Sequence, residues 1–450
     1  MSKGTSTKPP SGMRDFLAPD VVQRRHVLGV VQRVYESFGF VPLETPTIEN
    51  LGTLLGKYGP EGDQLLYRLL HRRDKLKRAI AGGADQPGGL TEQDLAAEGL
   101  RYDLTVPLAR VVANYKDLPA FYKRYQIQPV WRADRPARGR FREFYQCDVD
   151  VTGTASLVAD AEVCCAVATV LRELGFADFK ILTNHRELLR ALVADAGIPA
   201  EQESLALIAL DKLDKLGGDG VKDELGEKGI AAERADALLS KLEQMRAPGA
   251  LERLAEGDGP GARGAAELLE LFGYAAHGQA AEHATFDPTL ARGLSYYTGP
   301  IFEIQVDGLA GSLGGGGRYD NLIGMFQKQQ VPAVGFSLGL ERVLLVMEER
   351  QMFPELGIGP QVLLCRMGDV PASAAISVAS ALRAAGARVE VYADAAPMKK
   401  QLSYANSLEV AFAAILGPQE VADGTVSLKD LRTGQQESCM ISEAARKVQD

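Results

Sequence analysis

Apolar residues recur at helical spacing from about Asp20 to Phe38, with Val27, Val30, Val31 and Val34 on one face. Gly39 ends that helix. FVPLETPTIEN then reads as extended chain punctuated by Pro42 and Pro46. Two runs of strand character, FYKRYQIQPVWRAD and RFREFYQCDVDV, are joined by RPARG, which predicts an antiparallel hairpin with a multi-residue loop. A helix is predicted from about Asp160 to Leu174, stopped by Gly175. From about Asn184 to His283 the chain turns rich in Ala, Leu, Glu and Lys, as a helical insert between strand-like segments would be. ARGLSYYTGPIFEIQV and VPAVGFSLG return to strand character, and LGLERVLLVMEER is an amphipathic helix with Leu340, Val343, Leu344 and Met347 on one face. Beyond FPELGIGP, strand runs (QVLLCRMG, ARVEVYA, VAFAAILG) alternate with helical patterns (SAAISVASALRAAG, PMKKQLSYANSLE), predicting a compact α/β domain.

Composition changes the picture by exclusion. The chain has 450 residues, 46% hydrophobic and 24% charged, which is ordinary globular composition. No apolar run approaches the ~18 residues of a membrane span, and MSKGTSTKPPSGMRD lacks the apolar stretch of a signal peptide. Five cysteines are too few for a disulfide scaffold and match no zinc spacing; no metal ligands are predicted, and a reducing cytoplasm fits. The net charge of −9 argues against nonspecific coating of nucleic acid but leaves room for a local basic surface. Residues 71–99 read as a surface insertion, charged at first and then Gly-rich; its basic run is either a solvated loop or short helix, or a contact to RNA.

The chemistry concentrates in the hairpin. Along its second strand Phe141, Tyr145, Cys147, Val149 and Val151 share one parity, while Arg140, Arg142, Phe144, Gln146, Asp148 and Asp150 share the other. The polar face is either the floor of a pocket or simply in water. Arg132, Arg135, Arg138, Arg140 and Arg142 crowd one turn, a density that suits polyphosphate or an RNA backbone. In RYDLTVP, Asp103 and Thr105 are two apart, on one side of an expected strand, where carboxylate and hydroxyl could hold an ammonium group. GSLGGGGRYD has four consecutive glycines, which allow either close backbone approach to a ligand or a flexible turn; it is neither a P-loop nor GxGxxG.

Taken together, these segments resemble the histidyl-tRNA synthetases, which are class II aminoacyl-tRNA synthetases. FGFVPLETP is similar to class II motif 1, the whole hairpin to motif 2 in its histidine-specific form, and VGFSLGLERV to motif 3. LRYDLTVP, ARGLSYYTG and GGGGRYD resemble signatures of the histidine enzyme, and KKQLSYA with ILGPQEVADGTVSLKDLRTGQQ its anticodon-binding domain. The resemblance implies an α+β fold: an antiparallel sheet of six or so strands flanked by helices, with a helical insertion domain and a C-terminal α/β anticodon-binding domain. It divides the chain into a first catalytic part (1–183), the insertion (184–284), a second catalytic part (285–352) and the anticodon-binding domain (360–450). It also implies a cytoplasmic homodimer acting on L-histidine, ATP with Mg²⁺, and tRNA(His).

Roles follow by resemblance, position by position. Arg132 would bind the ATP α-phosphate and the histidine carboxylate region; Phe144 and Arg342 would sandwich adenine; Asp134 and Arg140 would handle the adenine end and the outer phosphates. Asp103, Thr105 and Gln146 would hold the histidine ammonium, and Asp150 and Tyr297 its imidazole. Arg292, expected on a strand edge beside Tyr297, would stabilise charge on the α-phosphate during attack. Arg135 and Arg138 would meet the tRNA acceptor end. Three departures from the family pattern are Ser295 in place of an acidic residue after RGL, Asp rather than Glu at 103 and 150, and the 71–99 insertion. The competing reading is an inactive paralogue acting as the regulatory subunit of ATP phosphoribosyltransferase, which resembles the catalytic domain but typically lacks the C-terminal one.

Overall fold

The computed structural model describes residues 6–83, 90–292, 296–309 and 311–449. Two compact units emerge, one of residues up to 15 together with 23–353, the other of 16–22 with 354–450. The larger unit carries strands β1 (Val41–Pro42), β2 (Ile48–Asn50), β3 (Arg68–Leu70), β4 (Ala96–Leu100), β5 (Tyr122–Trp131), β6 (Glu143–Thr152), β7 (Phe179–His185), β8 (Ala284–Phe286), β9 (Pro300–Val306), β10 (Gly314–Arg318) and β11 (Ala333–Gly339). Eight of them form one sheet in the order β1-β5-β6-β11-β10-β9-β7-β8. Its inner pairs are antiparallel; only the short edge strands β1 and β8 pair in parallel, and they raise the count above the six or so expected.

One face of this sheet is covered because its sequence alternates. The odd-numbered residues Cys147, Val149 and Val151 of β6 enter a core with Phe336 of β11 and Phe302 and Ile304 of β9. Helix Leu157–Glu173, N-capped by the Ser156 hydroxyl, packs there through Val163, Val167, Val170 and Leu171. Val27, Val30, Val31 and Val34 of helix Ala18–Ser37 join the same core at the predicted spacing. The opposite face of β6 is left to the polar residues, and the site lies there.

Immediately after β7 the chain becomes helical, in Arg186–Asp195, Glu203–Leu210, Leu213–Glu227 (broken at Gly217), Ala232–Gln244, Ala250–Ala255 and Pro260–Ala275. These helices share a core built on Leu189, Leu207, Leu225, Leu238 and Leu268. No helix among the described residues is long and apolar enough to cross a membrane.

Two expectations are corrected. In residues 71–99 the basic run does form a short helix, Arg73–Gly83, but the segment's end is not a surface insertion: β4 is the central strand of the small sheet β2-β4-β3. Asp103 and Thr105 are not on a strand. Thr105 opens helix Thr105–Asn114, and Asp103 Oδ1 accepts from the Val106 N–H (3.0 Å), satisfying a donor that the first helical turn leaves free.

The smaller unit contains β12 (Val362–Arg366), β13 (Val389–Val391), β14 (Phe412–Leu416), β15 (Thr425–Asp430) and β16 (Gln436–Met440), in the order β13-β12-β14-β15-β16. Parallel β12, β13 and β14 alternate with helices Ala372–Ala384 and Met398–Ser407, as their pattern predicts. The antiparallel β15–β16 hairpin was not foreseen.

Candidate active site

Register across the sheet assembles the polar floor. Arg124, Asp150, Gly335, Gly317 and Ile301 lie opposite one another across β5, β6, β11, β10 and β9. The next row on the same side is Gln126, Asp148, Ser337, Gly315 and Glu303. From these rows Asp148, Asp150, Gly315, Gly335 and Ser337 floor a cavity of about 350 Å³, lined also by Asp103, Thr105, Arg132, Arg292 and Tyr297. Phe144 and Asp150 stand about 20 Å apart along β6, so the cavity has two distinct ends.

The Asp150 end gathers buried carboxylates. Asp150 accepts a short hydrogen bond from the Tyr319 hydroxyl, and its Oδ2 lies 2.8 Å from Arg124 Nη2 without hydrogen-bond alignment. Asp148 Oδ2 is 3.8 Å from the same nitrogen. Burial pushes the Asp148 carboxyl up to about 7; Arg124 opposes this and Asp150 adds to it. Burial likewise raises Asp150 and Asp103. Asp103 Oδ2, Gln146 Oε1, Asp148 Oδ1 and Asp150 Oδ2 are buried without hydrogen-bond partners among the described residues. Acceptors left unsatisfied at one place are costly unless a ligand brings donors. A compact ligand with an ammonium and a ring N–H meets that need.

The Phe144 end is cationic and aromatic. The Arg132 guanidinium lies 4.2 Å from the Tyr102 ring centre and 5.1 Å from that of Phe144, with Nε donating to the Tyr102 carbonyl (3.1 Å). Arg140 pairs with Asp134 (2.8 Å), and Arg342 donates to the Ser312 carbonyl (2.6 Å). Arg292 is midway. It pairs with Glu303 (2.9 Å), donates to the Phe302 carbonyl (3.2 Å), and adopts φ of +50°. It therefore sits in a strained loop ahead of β9 rather than on a strand edge. Ser295 lies outside the described residues.

The glycine run is a strand, not a turn. A Cβ on Gly315 would overlap Arg292 Nη1, and one on Gly335 would overlap Asp150 Oδ1. Small residues here let charged side chains lie flat on the sheet.

Of the residues singled out in the sequence, Asp103, Thr105, Arg132, Asp134, Arg140, Phe144, Gln146, Asp150, Arg292, Tyr297 and Arg342 line this one cavity. Arg135 and Arg138 do not; Arg138 is exposed and pairs with Glu349. Parity misplaced two positions, because β6 begins only at Glu143: Phe141 reaches the cavity, whereas Arg142 turns away to the Asp134 carbonyl. Asp148 lies on the polar face that the alternation marks, whereas nothing in the sequence pattern singles out Arg124, Lys215, Glu303 or Tyr319. None of the five histidines lines the cavity, and all five cysteines are buried and free.

The sequence model described as histidyl-tRNA synthetase matches residues 12–343, and that of an anticodon binding domain matches 361–450. The histidine–tRNA ligase of Gloeobacter violaceus is 40% identical over 466 residues, spanning 97% of both chains. That of Porphyromonas gingivalis is 41% identical over 437 residues, spanning 95% of this chain and 96% of its own. The crystal structure of histidyl-tRNA synthetase from Nostoc sp. PCC 7120 has a TM-score of 0.77 at 28% identity and covers 99% of each chain. A Bacillus halodurans C structure, described as an ATP phosphoribosyltransferase regulatory subunit/histidyl-tRNA synthetase, shares the fold: TM-score 0.72, 24% identity, over 90% of this chain and 98% of its own. With one family model spanning residues 12–343 and relatives near 40% identity over almost the whole length, this chain belongs to the histidyl-tRNA synthetase family.

Proposed function

We infer that the chain is a histidine–tRNA ligase, which joins histidine to tRNA(His) through a histidyl-adenylate and releases AMP and pyrophosphate. The observation that carries this is the cavity's polarity. Carboxylate oxygens without hydrogen-bond partners among the described residues gather towards the Asp150 end, and arginines with an aromatic ring towards the Phe144 end. An amino acid fits the first and a nucleotide the second. In this reading the ammonium meets Asp103, Thr105 and Gln146, and the imidazole meets Asp150 and Tyr297. Phe144 and Arg342 enclose adenine, with Asp134 and Arg140 at its edge and outer phosphates. Arg132 and Arg292 flank the α-phosphate. The histidine carboxylate attacks the α-phosphorus, and the terminal ribose hydroxyl of the tRNA then attacks the adenylate carbonyl. Such chemistry rests on positioning and charge stabilisation and needs no nucleophilic side chain. Mg²⁺ enters with ATP as part of the substrate, held by its phosphates.

Residues 1–183 and 285–352 form the catalytic domain around the insertion 184–284, and 360–450 read the anticodon. Arg135 and Arg138, outside the cavity, remain available to the acceptor end. Two copies pair through the motif 1 segment, where Val41 and Ile48 are exposed apolar residues. The five free cysteines favour a reducing cytoplasm. The regulatory-subunit alternative has less support, since the C-terminal domain and Arg132, Arg292 and Arg342 are all present. The deciding experiment is histidine-dependent ATP–pyrophosphate exchange followed by charging of tRNA(His). A folded protein that gives no exchange would overturn the ligase reading.

A further inference from the structure

We propose that Lys215, carried by the helical insert, is a ligand for the outer phosphates of ATP in the adenylation step. This rests on the ligase reading and adds to it a cation from outside the catalytic sheet.

Five cationic side chains line the cavity: Arg132, Arg140, Lys215, Arg292 and Arg342. The four arginines are each held by a protein acceptor, respectively the Tyr102 carbonyl, Asp134, Glu303 and the Ser312 carbonyl. The Lys215 ammonium has no hydrogen bond or ion pair among the described residues. Lys215 is exposed and contributes to the lining of the cavity, so its charge is open to a ligand there.

The turn that carries it is hydrogen-bonded. The Lys215 N–H donates to the Lys212 carbonyl (3.0 Å), and Lys212 itself is tied to Glu224 (2.6 Å). Two residues on, Gly217 adopts φ 68° and ψ 176°, a conformation that side-chain-bearing residues rarely take. It breaks the helix and sets the Lys215 turn apart as a single short unit. Lys215 and Arg292, the arginine assigned to the α-phosphate, line the same cavity.

A charge without a protein partner among the described residues gives Lys215 its task. In adenylation a histidine carboxylate oxygen bonds to the α-phosphorus while the bond from that phosphorus to the α,β-bridging oxygen breaks. The bonding electron pair leaves on the pyrophosphate. Negative charge moves outward, to where a compact, mobile ammonium is better suited than a rigid fork.

The phosphate could instead belong to the acceptor end of the tRNA, and the test separates the two. Lys215→Ala, Lys215→Glu and Lys215→Arg are compared in histidine-dependent ATP–pyrophosphate exchange and in transfer from preformed histidyl-adenylate to tRNA(His). Losing one charged contact is expected to raise the KM for ATP or slow adenylation by about tenfold to a hundredfold in Lys215→Ala. Lys215→Glu should be worse and Lys215→Arg should recover most of the loss. Histidine affinity and the transfer rate should not change. Unaltered exchange with slowed transfer would assign Lys215 to the RNA and overturn the proposal, as would unaltered behaviour in both assays. Absence of exchange by the unsubstituted protein would instead bring down the ligase reading on which it stands.

Discussion

Arg124 and Asp150 face each other across the β5–β6 hairpin, Nη2 to Oδ2 at 2.8 Å, with Arg124 fully buried. The same guanidinium must also serve Asp148, and neither its Nε nor its Nη1 finds a hydrogen-bond partner among the described residues. One cation thus underlies two carboxylates at the base of the cavity. Removing it leaves buried negative charge uncompensated, which costs about 3–5 kcal/mol. Arg124→Met should therefore lower the free energy of urea unfolding by about that amount. Adding Asp150→Asn to it should recover part of the loss. A loss below about 1 kcal/mol, the range of an exposed pair, would show that water reaches this site.

Arg292 and Gly315 should behave as a unit, because a Cβ at 315 would occupy the space of the guanidinium. If Arg292 stabilises charge that grows on the α-phosphate, Arg292→Ala should slow single-turnover adenylation by about 10²–10³ with KM values little changed. Gly315→Ala should approach that defect with the arginine still present. Glu303→Gln, which keeps the shape but not the charge of the partner, should cost less. Loss of ATP affinity at an unchanged adenylation rate would make Arg292 a nucleotide-binding residue only.

The hairpin was legible because strand period and function coincide: the even positions from Phe144 to Asp150 are polar or aromatic and line the cavity, and the odd ones are apolar. The same signal was present and unread on β5, where Arg124, Gln126 and Gln128 share a face. Only pairing register reveals that Arg124 stands opposite Asp150. RYDLTVP misled because a carboxylate two residues before a hydroxyl suits a strand and a helix start equally; Pro107, within the first turn, favoured the helix. Four glycines are unfavourable in a strand on propensity. What makes them a strand is the side chains lying over them, which local sequence does not contain. In the smaller unit β15 and β16 were missed although Gly434, with φ 77°, marks the turn between them. Lys215 was invisible for a different reason, being brought to the cavity by the packing of distant helices.

Recognition of the imidazole can be tested apart from the nucleotide. Tyr297 is buried at the cavity wall, and Asp150 presents an oxygen without a hydrogen-bond partner. Loss of one partner of a buried polar contact costs about 1–3 kcal/mol. Tyr297→Phe and Asp150→Ala should each raise the KM for histidine by about tenfold or more, leaving that for ATP unchanged. Unchanged histidine dependence in both variants would remove them from the recognition site.

Histidine binding should also release protons near neutral pH. Burial lifts the Asp148 carboxyl to about 7, so close to that pH it is partly protonated in the free protein. An ammonium bound beside it favours the charged form and lowers its pKa, so protons leave on binding. At pH 8.5 the group is already ionised and little is released. The same shift fixes the sign for stability. Between its unfolded value, 3.8, and about 7, the folded state binds the extra proton, so stability falls as pH rises through that window. Asp148→Asn, which cannot titrate, should flatten both effects. Calorimetry of histidine binding at pH 7 in buffers of different ionisation enthalpy measures the proton count directly. The substrate imidazole titrates in the same region, near 6.5, so the difference between the unsubstituted protein and Asp148→Asn is the quantity that counts. Equal proton release by the two would mean that Asp148 does not respond to the ligand and that the ammonium binds elsewhere.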